Sequence, residues 1–191
     1  MADRFLDVSD PLALRALAHP LRVRLLRLVR EHRPVTNAEL AALVGESTAN
    51  VSYHLSVLAR HGFVEPDPTP GATRRHKPWR TTYDRMRMHS AGVGTTPLES
   101  PGGGALAALL ADDRATQDAY LAAPSAPEGT AQDAAVFQIS RLVLDAARAE
   151  ELATEVSTLL DRYRRDAGPD PDEALFAVSF VAVPVVEEVH R

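Results

Sequence analysis

The strongest constraint on this fold is a pair of short helical patterns separated by only three residues, Gly45-Glu46-Ser47. Thr36-Asn37-Ala38-Glu39 reads as a capping box, with Thr36 holding the Glu39 backbone and Glu39 reaching back to Thr36. Leu40 and Leu43 give this first helix an apolar side, and Gly45 ends it. Ser47 is placed to cap the second helix, where Val51, Leu55 and Leu58 recur as a stripe until Gly62 stops it. Two short helices around a tight, glycine-containing turn predict a helix-turn-helix.

The flanking sequence supplies what such a pair needs in order to be covered. Asp10-Pro11 starts one helix carrying Leu12, Leu14 and Leu17, and His19-Pro20 breaks and restarts it. Leu21, Leu25 and Leu28 then form a core stripe, with Arg24 and Arg27 towards the other side. After Gly62 the period changes. Phe63-Val64-Glu65 predicts a strand, Pro66, Pro68, Pro70 and Gly71 a turn-rich tip, and Trp79 to Tyr83 the returning strand. A helix-turn-helix followed by a β-hairpin is a winged helix, with Trp79 expected to anchor the wing to the helical core.

Net charge needs the distribution to be informative. The 191 residues carry 21 Lys and Arg against 26 Asp and Glu, a net of −5. Residues 1–90 carry 14 against 9, a net of +5, and residues 91–191 carry 7 against 17, a net of −10. A basic half joined to an acidic one suits contact with a polyanion through the first half. The acidic half would repel phosphates and limit unspecific binding.

The side of the second helix opposite its stripe presents Thr48, Ala49, Ser52, Tyr53 and Ser56, with no acid among them. Small polar groups and one aromatic suit entry into a major groove, hydroxyls reaching base edges or phosphates and Ala49 a thymine methyl. The N-terminal turn, Thr48 to Asn50, offers backbone N–H groups to a phosphate. At the hairpin tip Arg74-Arg75-His76-Lys77 is a run of four basic or titratable groups, suited to backbone or minor-groove contact. The expected DNA-contacting set is therefore Thr48, Ala49, Asn50, Ser52, Tyr53, Ser56, Arg74, Arg75, His76 and Lys77. His19 is expected to cap or pack. For His54, between the stripe and the groove-facing side, a structural role and a phosphate contact both stay open. Arg22, Arg24, Arg27 and Arg30 do not share one helical face, so some are expected to pair elsewhere, and Arg33 is a backbone-contact candidate.

Residues 10–83 resemble the winged-helix domain of ArsR-type bacterial transcriptional regulators. The resemblance is carried by Leu14-Arg15-Ala16-Leu17-Ala18-His19-Pro20-Leu21-Arg22 with Arg24-Leu25-Leu26, by Glu39-Leu40-Ala41, and by Ser47 through Leu58. It ends on Arg60-His61-Gly62-Phe63-Val64 and the hairpin closing at Trp79-Arg80. It implies a homodimer that binds a short inverted repeat in double-stranded DNA and responds to an effector, with 48–61 as recognition helix. Thr48, Ala49, Ser52 and Tyr53 match base-reaching positions. The sequence departs from metal-sensing relatives: no Cys-x-Cys element lies on the helix at 37–43, and the helix at 105–123 has Asp112, Asp113 and Asp118 but no His. No metal site is expected, and the absence of cysteine excludes thiol sensing and disulfides.

The second half reads less specifically. Residues 91–104, rich in Gly, Pro, Ser and Thr, predict a linker between a DNA-binding domain at 1–90 and a dimerisation or effector domain at 105–191. An Ala/Leu helix at 105–123 suits pairing with its own copy. Strand-type residues at 135–144, a helix capped by Asp145 and an apolar strand at 175–185 follow, as a second dimer layer or a pocket for a small molecule. Phe137, Ile139, Phe176, Val178 and Phe180 are expected as core packing ahead of a cavity lining. The fold class expected is mainly α with α+β elements.

No catalytic triad, HExxH, P-loop or GxGxxG spacing occurs, so neither enzyme activity nor a cofactor is expected. A methyltransferase with an N-terminal winged helix is disfavoured because the remaining residues lack a cofactor loop. No segment suits a signal peptide or a membrane span, so a cytoplasmic protein without membrane contact is expected. The leading reading is a dimeric repressor without metal chemistry; a winged-helix protein-interaction module is the alternative.

Overall fold

The computed structural model describes residues 4–32, 34–68, 78–88, 100–124, 134–136, 138, 140–163 and 175–182. Its elements are β1 (Phe5–Val8), α1 (Pro11–Leu17), α2 (Pro20–Glu31), α3 (Asn37–Val44), α4 (Thr48–Arg60), β2 (Val64–Pro66), β3 (Trp79–Thr81), β4 (Arg85–Met88), α5 (Pro101–Ala122) and α6 (Ala146–Arg162). The chain is mainly helical with a few short strands. It divides into two compact units, residues 1–118 and 119–191.

Local chemistry sets the helix ends in the first unit. The Asp10 carboxylate accepts from the Ala13 N–H at 2.9 Å, with Pro11 opening α1. His19 caps α2 in the same way, with Pro20 behind it. The capping box on α3 is complete: Thr36 Oγ1 accepts from the Glu39 N–H, and Glu39 Oε2 accepts from the Thr36 N–H at 2.8 Å. The Thr36 N–H and the Thr36 hydroxyl, both donating to Glu39 Oε2, hold the Glu39 carboxyl below the usual carboxylate range. Gly45 closes α3 at φ 73°, the left-handed region, and its N–H donates to Ala41 O. A Cβ there would meet nothing within 4 Å. Gly45→Ala is therefore expected to cost about 1–2 kcal/mol through backbone strain alone, read from urea denaturation midpoints.

Packing closes around the stripes. Leu17, Leu25, Val29, Leu40, Val51, Leu55, Leu58 and Phe63 are all fully buried in one cluster. The wing stands on β2 and β3, antiparallel, with Val64 opposite Thr81 and Pro66 opposite Trp79. The hairpin tip lies outside the described residues.

Two features of this unit differ from the sequence reading. Phe5–Val8 pairs in parallel with Arg85–Met88, tying the N-terminal strand to the chain after the wing. The last four residues of the expected linker, 101–104, already form the first turn of α5. Glycines disfavour a helix by propensity, but packing decides here. A Cβ on Gly104 would stand 3.1 Å from the Ala18 Cβ, so glycine permits a close approach to the end of α1. Ala105 is fully buried, and Arg27 of α2 bonds Asp112 of α5 at 2.8 Å. The first half of α5 thus packs with the helical core, and the boundary between the compact units falls inside this helix.

In the second unit α6 starts where expected, with Asp145 Oδ1 accepting from the Arg148 N–H at 2.8 Å. The strands expected on either side of it, at 135–144 and 175–185, are not formed among the described residues. A strand is made by its neighbour, and an extended apolar run without a pairing edge gains nothing from β propensity. Val143 is 100% exposed, and Leu142, Leu175 and Val178 are largely exposed as well. The expected core packing is likewise not found among the described residues: Phe176, Val178 and Phe180 are exposed, while Phe137 and Ile139 lie outside them. No side chain of α6 is buried.

Candidate nucleic-acid interface

The helix-turn-helix is α3 and α4. Ser47 Oγ accepts from the Asn50 N–H at 3.1 Å and fixes the start of α4. Val51, Leu55 and Leu58 turn one side of α4 wholly into the core. The opposite side then has to face outwards. Thr48, Ala49 and Ser56 are exposed, Ser52 is half-buried, and Tyr53 is 62% exposed. The Ser56 hydroxyl donates to the Ser52 carbonyl at 2.7 Å, leaving its oxygen lone pairs for a donor. The five side chains singled out for this face lie together on it.

The helix start is less open than the sequence suggests. Asn50 has its N–H bonded to Ser47, and its side-chain amide donates to Glu46 Oε2 at 2.9 Å. Glu46 therefore brings a carboxylate to the N-terminus of α4. The signal was visible as an acid four residues before Asn50, a spacing that brings side chains together on a helix start.

The wing residues Arg74, Arg75, His76 and Lys77, and Arg33, lie outside the described residues. The base of the wing is held firmly. Trp79 packs against the core, its Nε1–H donates to Asn37 Oδ1 at 2.6 Å, and its backbone N–H donates to Val35 O at 2.7 Å. The arginines of α2 are mostly committed inside the fold. Arg22 donates to the carbonyls of Ala16 and Arg15, Arg24 to Leu43 O, and Arg30 to Asp84 O. Arg27 is paired with Glu31 and Asp112.

His19, expected to cap or pack, and His54, left open by the sequence, both have structural settings. His19 Nδ1 accepts from the Leu21 N–H at 3.2 Å. His54 is 6% exposed and its ring lies against those of His19 and Tyr53. Partial desolvation lowers the pKa of each. No group of three or more metal-ligating side chains occurs among the described residues, and no helix there is long and apolar enough to cross a membrane.

No curated protein matches the chain. A family model described as a helix-turn-helix domain matches residues 17–67. The match runs from the end of α1 through α4 to the first strand of the wing, and it takes in the whole of the outward face of α4. Over this stretch the chain is similar to a helix-turn-helix domain, a DNA-binding regulatory module, and with β2 and β3 the fold is that of a winged helix-turn-helix.

Proposed function

We propose that this protein is a sequence-specific transcriptional regulator of the ArsR type, a homodimeric repressor that binds an inverted-repeat operator in double-stranded DNA. The observation that carries the reading is the outward face of α4. Thr48, Ala49, Ser52, Tyr53 and Ser56 stand opposite a fully buried stripe, on the second helix of a helix-turn-helix. A helix in that position lies in the major groove with its N-terminal residues towards the bases. Asn50, held by Glu46, flanks that face. Arg74, Arg75, His76 and Lys77 supply phosphate contacts from the wing, as their sequence position suggests. Two copies related by a twofold axis would read the two half-sites, and a small-molecule effector acting through the acidic half would tune occupancy.

Selection of binding sequences from a random duplex pool, followed by footprinting at about 50 and 200 mM salt, tests the reading. Failure to retain any sequence more tightly than random DNA would sink it; recovery of a protein partner alongside unspecific DNA binding would favour an interaction module instead. Removing both wing arginines (Arg74→Ala, Arg75→Ala) is expected to weaken binding to all sequences alike and to reduce the salt slope by about two. Ser52→Ala or Tyr53→Ala is expected to change sequence preference instead, by about 1–3 kcal/mol at the positions read. Equal effects from the two sets would contradict this division of labour.

A further inference from the structure

Three rings connect the junction of α1 and α2 to the outward face of α4. His19, at the junction, is itself exposed and caps α2 through Nδ1, so its neutral ring carries the proton on Nε2. Its centroid lies 4.6 Å from that of His54, the planes tilted by 49°. His54 is buried, and its Nδ1 has no hydrogen-bond partner. The same ring meets Tyr53 edge to face, centroids 5.2 Å apart and planes at 74°. Tyr53 is the large aromatic on the face offered to DNA.

The arrangement is built for neutral rings. A proton reaching His19 lands on Nδ1, the atom that accepts from Leu21, so the cap is lost and a cation stands at a helix N-terminus, where the dipole opposes it. The same charge would face the His54 ring and the Arg22 guanidinium of α2. From the α3–α4 turn Glu46 is the acid that bears on His54, and it is already bonded to Asn50. Partial desolvation first, then the neighbouring positive groups, hold both imidazoles below the ordinary 6.5. The folded state therefore binds fewer protons than the unfolded chain below that pH. The stability of this contact is full above about 6.5 and is lost as the pH falls from there through the lowered folded values.

We propose that the His19–His54 pair is a positioning device for Tyr53, and that one proton on His19 releases Tyr53 and with it sequence-specific DNA binding. This rests on the reading of α4 as the base-reading helix. Its sign is the reverse of the ordinary one, because acid normally strengthens DNA binding as exposed histidines gain charge.

The full chain is titrated with its selected duplex at about pH 7.5 and 5.5 and constant salt, as wild type and as His19→Asn. Asparagine keeps a cap acceptor but has neither the ring nor the titration. Wild type is expected to lose about tenfold in affinity on acidification, the linkage of one proton over roughly one pH unit. His19→Asn is expected to bind at both pH values about as weakly as acidified wild type. The proposal is overturned by wild-type binding that is unchanged or tighter in acid, by a variant as acid-sensitive as wild type, or by a variant equal to wild type at neutral pH. A second arm needs no DNA. The Tyr53 ring-proton resonances should follow the His19 titration in wild type and stay fixed in His19→Asn. If they do not move, the positioning device falls whatever DNA does; if they move while no sequence is selected, the DNA reading falls instead.

Discussion

Phe63→Ala is expected to lower the stability of the first unit by about 3–5 kcal/mol, the largest effect of any single substitution considered. Among the described residues Phe63 is the largest of the fully buried side chains, and it sits where α4 hands over to the wing. Its N–H donates to Leu58 O at 3.0 Å, and its own carbonyl accepts from the Thr82 N–H at 3.2 Å. Helix end, turn and returning strand are thus fixed around one ring. Alanine keeps both backbone bonds but leaves the ring's volume empty, and the surrounding helices can collapse only in part. Natural domains are stable by about 5–15 kcal/mol, so the variant would stand near its unfolding threshold at room temperature. Urea denaturation followed by far-UV circular dichroism checks this, with a lowered midpoint at unchanged slope. A loss below about 1 kcal/mol would mean that the site repacks and that Phe63 does not set the α4–wing angle.

The parts of this molecule legible in its sequence are those decided by neighbours along the chain. Asp10, His19, Thr36 with Glu39, and Ser47 all act as caps, because a cap is a bond across two or three residues. The stripe of Val51, Leu55 and Leu58 identifies the buried side of α4, and the outward face follows from it. What remained hidden is long-range. The pairing of Phe5–Val8 with Arg85–Met88 joins segments about 80 residues apart, and neither has a pattern that names the other. His19 and His54 read as isolated histidines until folding brings their rings together. The first turn of α5 reads as linker because its glycines oppose a helix; a close approach to Ala18 overrides that preference. Around α6 the error runs the other way. Residues 140–144 and 175–182 have strand composition, but composition cannot supply a neighbouring edge.

Trp79→Ala should separate the wing from the proposed reading helix in both stability and binding. The indole packs on the core and donates to Asn37 at the first residue of α3, while the Trp79 backbone bridges to Val35. Alanine keeps the backbone bridge but removes the ring and strands the Asn37 carbonyl oxygen. Because the ring is half-buried, the expected cost is about 2–4 kcal/mol, below that for a fully buried tryptophan. Trp79→Phe keeps most of the ring and isolates the hydrogen bond, at about 1 kcal/mol. The binding consequence follows from the role proposed for each element. On the proposed phosphate contacts of Arg74, Arg75, His76 and Lys77, loosening the base of the wing should weaken binding to selected and random duplexes by a similar factor and flatten the salt dependence. On the proposed reading, preference at positions facing Ser52 and Tyr53 should survive, since Val51, Leu55 and Leu58 anchor α4 in the helical core. A loss of base preference as large as the loss of overall affinity would mean that α4 takes its orientation from the wing.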